Sequence, residues 1–223
     1  MISPIEVTIP VQKLINRIGS EYEHEFVSNI PDSEATVGNC YFNVEKKIVK
    51  DGGALVYGWA VWLGNFICEG EHHAVWEDEC GNLVDITPHQ IEVNTVFFIP
   101  DDRYVYKNRY IGNIRINIGN NPVVDHFILL SEMKDFLLTI ATRIDDEKIS
   151  FPNRVIHNMY SHHNNRVSNI LLYLKEQGKL GTACYCGSTK VYSKCHGKGV
   201  FAAIEADKKA VAKFINVSPN YLP

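Results

Sequence analysis

The chain has 223 residues, of which 45% are hydrophobic and 22% charged, the balance of an ordinary globular protein large enough for one generous domain or a domain with a small appendage. A net charge of -4 argues against a protein whose main task is to neutralise nucleic-acid phosphates, while leaving room for local basic patches. No run approaches the ~20 apolar residues needed to span a bilayer, and the amino terminus lacks the charged and apolar regions of a signal peptide, so a cytoplasmic protein is expected.

Taken in order, residues 11–29 carry Val11, Leu14, Ile15 and Ile18 and then Phe26 and Val27, which predicts one or two amphipathic helices. A Pro-, Ser- and Gly-containing loop follows. Cys40 stands where that loop enters a helix, striped by Phe42, Val44, Ile48 and Val49 and ended by Gly52-Gly53. The next runs, ALVYGWAVWL, FICEGEHHAVWE and NLVDITP, are rich in Val, Ile, Trp and Tyr and predict antiparallel strands. NTVFFIPD and RYIGNIRINIG extend the sheet. From about Val124 the pattern turns helical through HFILLSEMKDFLLTIATRI and RVIHNMYSHHNNRVSNILLYLKEQ, and FAAIEADKKAVAKFIN is a last helix. The acidic run Asp145-Asp146-Glu147 reads as an exposed helix end, and His157, His162 and His163 as a solvated or partner-facing surface.

Near the end stands ACYCGSTKVYSKCHGKG, with three Cys and one His inside thirteen positions. Reduced thiols in this spacing, beside a Gly-Ser turn that lets the backbone curl, point to a tetrahedral zinc site. With Cys184, Cys186, Cys195 and His196 all supplied by protein, no position stays open for water, so the zinc is expected to be structural. Each position of CYCGSTKVYSKCHG also matches the SEC-C motif, the zinc module at the C-terminus of the SecA motor and of many bacterial proteins, and the chain closely resembles that family over about fifteen residues. The resemblance implies zinc and a docking role toward a chaperone, the ribosome or another protein. Lys190, Lys194, Lys198, Lys208, Lys209 and Lys213 form a basic patch suited to an acidic partner.

Farther upstream, GNCYFNV, EGEHHAVW and LVDITP carry the groups of nucleophilic catalysis. A helix start favours a thiolate and offers first-turn N–H groups to an oxyanion. A neighbouring His can hold that thiolate and later protonate a leaving group, while a third polar residue fixes the ring. His73 and Asp85 each lie six positions from Glu79, so a hairpin centred there predicts them directly opposite each other. His72 must point to the other face of the strand. Cys68, within a strand, and Cys80, in a turn, are poorer nucleophiles than Cys40.

This order of Cys on a helix and His and Asp on successive strands resembles the papain-like cysteine hydrolases, including the NlpC-type and transglutaminase-like branches, with His73-Ala74-Val75 like their histidine strand. The resemblance covers residues 30–100. It implies an oxyanion donor, a Gln or similar residue, upstream of the nucleophile, where this chain offers Asn29 and Asn39 and has Gln12 as its only Gln before Cys40. The expected architecture is α+β: a papain-like domain at 1–120 with a nucleophile helix on an antiparallel sheet, a helical region at 121–180 and the zinc module at 181–223. The expected function is a cysteine-dependent hydrolase or acyltransferase of the peptidase, amidase or deamidase type. Cys40 is its nucleophile, His73 its base and acid, Asp85 the orienting residue, and a protein or peptide its substrate. The competing expectation is a non-catalytic adaptor with the same fold and a zinc-dependent docking module.

Overall fold

The computed structural model describes residues 1–145 and 148–215. The chain divides into two compact units, the first Met1–Ile118 with Asp145 and Lys148, the second Gly119–Ile144 with the chain from Ile149.

In the first unit, helix α1 (Ile9–Ile18) has a proline in its first turn and ends on Gly19 in the left-handed conformation. Its Val11, Leu14 and Ile18 pack on Trp59, Val61, Cys68, Phe97 and Ile99. Each such side chain removed from water contributes about 1.5–3 kcal/mol. The helical reading does not extend to Phe26 and Val27, which lie in strand β1 (Glu25–Asn29). There an aromatic and a β-branched residue point to opposite faces, and Val27 is buried while Phe26 is exposed.

Helix α2 (Cys40–Asp51) begins at Cys40 and stops at Gly52, whose φ of 73° a side chain would strain. It lays Cys40 and Val44 on Ala74 and Ile86. Strands β2 (Ala54–Leu63), β3 (Ile67–Glu77), β4 (Leu83–Asp85), β5 (Thr95–Pro100) and β6 (Ile114–Asn117) complete the unit. In the order β2-β5-β1-β4-β3, with β2 pairing back onto β3, five strands close into a barrel, and β6 pairs with the first half of β3. All pairs are antiparallel except β1 with β4, which run parallel. The sequence expectation of a wholly antiparallel sheet is corrected there, because β1 comes from a segment read as helix.

Inside the barrel Val27, Val75 and Phe98 form the core, with Val56 and Leu83 at its margin. Gly58 faces His73 across the β2–β3 ladder, and a Cβ on it would run into Ile99 O and the Phe98 ring. The barrel closes because this position carries no side chain.

The second unit holds α3 (Pro122–Ile140), the short strands β7 (Thr142–Arg143) and β8 (Ile149–Ser150), α4 (Arg154–Lys175) and α5 (Val200–Ile215). Asn121 caps α3 by accepting from Val123 N, and Asn153 caps α4 by accepting from Val155 and Ile156 N. α3 packs against both α4 and α5. His163 is corrected from a surface residue to a buried one, since its Nε2 reaches Asp207 Oδ2 of α5 at 3.1 Å. Asp145 follows β7 and ends no helix, while Asp146 and Glu147 lie outside the described residues. Among the described residues, no helix is long and apolar enough to cross a membrane.

The Gly58→Ala variant is expected to unfold about 1–3 kcal/mol more easily than wild type through overpacking at the β2–β5 contact. Urea denaturation followed by tryptophan fluorescence measures this, and an unchanged midpoint would contradict the close approach.

Candidate active site and candidate metal centre

Cys40 is the first residue of α2, 8% exposed. His73 on β3 is 4% exposed and Asp85 on β4 fully buried, and His73 Nε2 donates to Asp85 Oδ1 at 3.0 Å. The two are not directly opposite. The β3–β4 register pairs Trp76 with Val84 and Glu77 with Leu83, which sets Asp85 across from Val75 and diagonal to His73. The reason is the turn. Asp78 and Asn82 close a three-residue loop by Asp78 N to Asn82 O at 3.0 Å and Asn82 N to Asp78 Oδ1 at 2.8 Å, with Gly81 at φ 82°. That arrangement centres the hairpin one residue beyond Glu79. A diagonal neighbour on the same face is within reach of an imidazole.

The Asp85 carboxylate accepts four hydrogen bonds. Oδ1 takes His73 Nε2 and Thr87 N, the latter at 3.0 Å. Oδ2 takes His89 Nε2 at 2.6 Å and Asn29 Nδ2 at 3.1 Å. Burial by itself would raise its pKa, but the charge and hydrogen bonds of His73, followed by those of His89, hold it well below the usual carboxylate range. For His73 burial again opposes the charged form. Asp85 and then Cys40 outweigh it by charge and by hydrogen bonding, so His73 stays protonated well above the usual imidazole range. With Nε2 on Asp85, Nδ1 is the ring nitrogen left for the Cys40 thiol.

His72, on the opposite face of β3, is tied elsewhere. Its Nδ1 accepts from Tyr41 Oη at 2.8 Å and its Nε2 donates to Tyr104 O at 3.0 Å, and burial pushes it down to about 4. Glu69 and Glu71 share the face of His73. Glu69 makes an ion pair with Arg115 at 2.7 Å, and Glu71 accepts from Trp62 Nε1 at 2.9 Å. Cys68 is buried under α1 with its thiol pushed up to about 11, and Cys80 is exposed in the hairpin loop.

Of the upstream amide side chains, Asn29 is engaged with Asp85 and with Thr87 O, so it serves the acid and not an oxyanion. Asn39 bonds Thr36 Oγ1 at 2.8 Å, and Gln12 bonds Asn16 on the exposed side of α1. The residue that sequence reasoning missed is His89. Its signal was Asp85-Ile-Thr-Pro-His89, where the fixed φ of Pro88 helps turn the chain back on the preceding acid.

In the second unit the ligand atoms of Cys184, Cys186, Cys195 and His196 lie within 4.8 Å of one another. Cys184 Sγ is 3.2 Å and Cys195 Sγ 3.5 Å from His196 Nδ1, and Cys186 Sγ is 3.6 Å from Cys195 Sγ. A tetrahedron with Zn–S of about 2.3 Å and Zn–N of about 2.0 Å has edges of roughly 3.5–3.8 Å, so this donor set fits zinc closely. Hydrogen bonds from Ser188 bring Cys186 down to about 6, toward the thiolate a metal needs, while burial raises Cys184.

The scaffold behind these ligands is aromatic. Tyr192 is 1% exposed, its hydroxyl meets His126 Nδ1 at 3.1 Å, and its ring stacks on Tyr173 at 5.2 Å. A Cβ on Gly197 would lie 2.5 Å from that Tyr192 ring. This explains the glycine after the last ligand.

His73, Asp85 and His89 also bring three ligand atoms within 4.8 Å. Their contacts of 3.0 and 2.6 Å are also the distances of ring N–H groups on a carboxylate.

No family model, no curated protein and no solved structure matches this chain.

Two outcomes follow from these geometries. Purified protein should carry a single zinc ion per chain by elemental analysis, and Cys195→Ser should lose it together with thermal stability; equal metal content in both would remove the knuckle as the site. Asp85→Asn should cost roughly 3 kcal/mol by leaving a buried imidazolium without its counter-charge. Because the Asp85 pKa is depressed, its contribution is present above about pH 4 and lost as pH falls through the folded value. Because the His73 pKa is raised, its contribution is complete below about pH 6.5 and lost as pH rises through the folded value. Stability against pH should therefore form a plateau that Asp85→Asn flattens, as measured by thermal melts from pH 3 to 10.

Proposed function

We propose that the first unit is a cysteine-dependent hydrolase or acyltransferase acting on an amide or thioester carbonyl of a protein or peptide. The observation that carries this reading is the buried His73, bonded by Nε2 to Asp85 and influenced from Cys40 at the start of α2. In the reaction, Cys40 Sγ attacks the carbonyl carbon, and the resulting oxyanion meets first-turn N–H groups of α2. His73 gives its proton to the leaving nitrogen or sulfur as that bond breaks, leaving an acyl-thioester on Cys40. Water or an amine then attacks the thioester, His73 takes the proton of the incoming nucleophile, and Cys40 is released. Asp85 keeps the imidazole oriented and stabilises its charge throughout.

Zinc at Cys184, Cys186, Cys195 and His196 would be structural, since the four protein ligands fill a tetrahedron. Lys190, Lys194, Lys198, Lys209 and Lys213 are exposed and suit docking to an acidic protein or ribosomal surface. The six free thiols fit a reducing, cytoplasmic compartment.

The test is a low dose of iodoacetamide at mildly acidic pH, read by peptide mass spectrometry. Cys40 should be labelled at least about tenfold faster than Cys68 or Cys80, and His73→Ala should abolish that preference. Equal labelling of the thiols with zinc retained would leave the non-catalytic docking protein as the better reading.

A further inference from the structure

Asp85 has three partners besides His73, and they differ in kind. Thr87 N and Asn29 Nδ2 are neutral donors that never change charge. His89 is the only one of the three that can gain a proton, and it makes the shortest contact, 2.6 Å. It sits on the carboxylate oxygen that His73 does not use, with the two imidazoles 5.9 Å apart between ring centroids. Its ring packs in a T-shaped contact with Trp62, whose indole N–H is held by Glu71. The groups placed around it are thus Asp85 on β4, His73 and Glu71 on β3, Trp62 on β2 and Asn29 on β1. Of these, Asp85, His73 and Glu71 can carry charge.

We propose that His89 is a positioning residue that governs, through Asp85, how firmly His73 is held against Cys40. This rests on the reading of Cys40, His73 and Asp85 as a catalytic set. As a donor, His89 fixes the rotation of the carboxylate, so that Oδ1 stays aimed at His73. Its 2.6 Å contact draws on the negative charge that Asp85 offers to His73, and its loss would leave Oδ2 to Asn29 Nδ2 alone.

Two variants test the positioning role. His89→Gln keeps a donor of similar reach, and His89→Ala removes it. The measurement is the rate of Cys40 labelling by iodoacetamide, together with NMR titration of the His73 ring. His89→Ala should slow neutral-pH labelling about three- to tenfold, the effect of one lost hydrogen bond, and shift the His73 titration. His89→Gln should restore both, with the rate within about twofold of wild type. If His89→Ala superimposes on wild type in both readouts, or if a folded His89→Gln is as impaired as His89→Ala, the proposal is overturned. If the His73 titration moves as expected but Cys40 shows no preferential labelling, His89 positions the ring and the catalytic reading falls alone.

Discussion

A carboxylate with no exposed surface must find all its hydrogen bonds inside the protein, and Asp85 finds four. Their origins tie the barrel together. Asn29 comes from β1, Thr87 and His89 from the chain leaving β4, and His73 from β3. The parallel pairing of β1 with β4 places Asn29 beside Asp85 in register. Without it the second oxygen would depend on His89 alone. An uncompensated buried charge costs several kcal/mol, so the barrel's strand order and the ionisation of its interior are linked.

The same constraint explains why two adjacent histidines behave differently. His72 and His73 follow each other on β3, yet one is held neutral and the other charged. His72 faces Tyr41 and a carbonyl, and the charge of Asp101 is too weak there to offset burial. His73 faces Asp85. Strand alternation sends them to opposite faces, and the partner on each face decides the proton. The proposed chemistry needs an imidazole that gives and takes protons from a fixed orientation, which only the second environment supplies.

The second unit solves a different problem. A loop with four ligands and little apolar surface cannot fold by burial alone, and its order comes from two sources. One is the donor geometry, close to a zinc tetrahedron. The other is Tyr192, buried between Tyr173 and His126 under Gly197. Donor cluster and aromatic pillar together belong to a small module that presents exposed lysines.

Much of this was written in the chain. Cys40 as a helix start followed from a loop and a helical stripe, and Gly52 as its end from the residue type. The clustering of Cys184, Cys186, Cys195 and His196 followed from spacing, because short loops bring near neighbours together whatever the rest of the fold does. The strand at Phe26 and Val27 was not legible, since five residues are too few for a period and only the barrel's closure makes them a strand. Sequence placed His73 and Asp85 on one face of a hairpin, but their diagonal pairing depended on where the turn chose its centre. The roles of Asn29 and His89 lay beyond any local pattern. They become partners of Asp85 only when β1 runs parallel to β4 and the chain folds back after Pro88. Local propensity determined which groups were present and which elements carried them. Tertiary structure alone decided which of them meet, because a buried charge selects its partners from strands far apart in sequence.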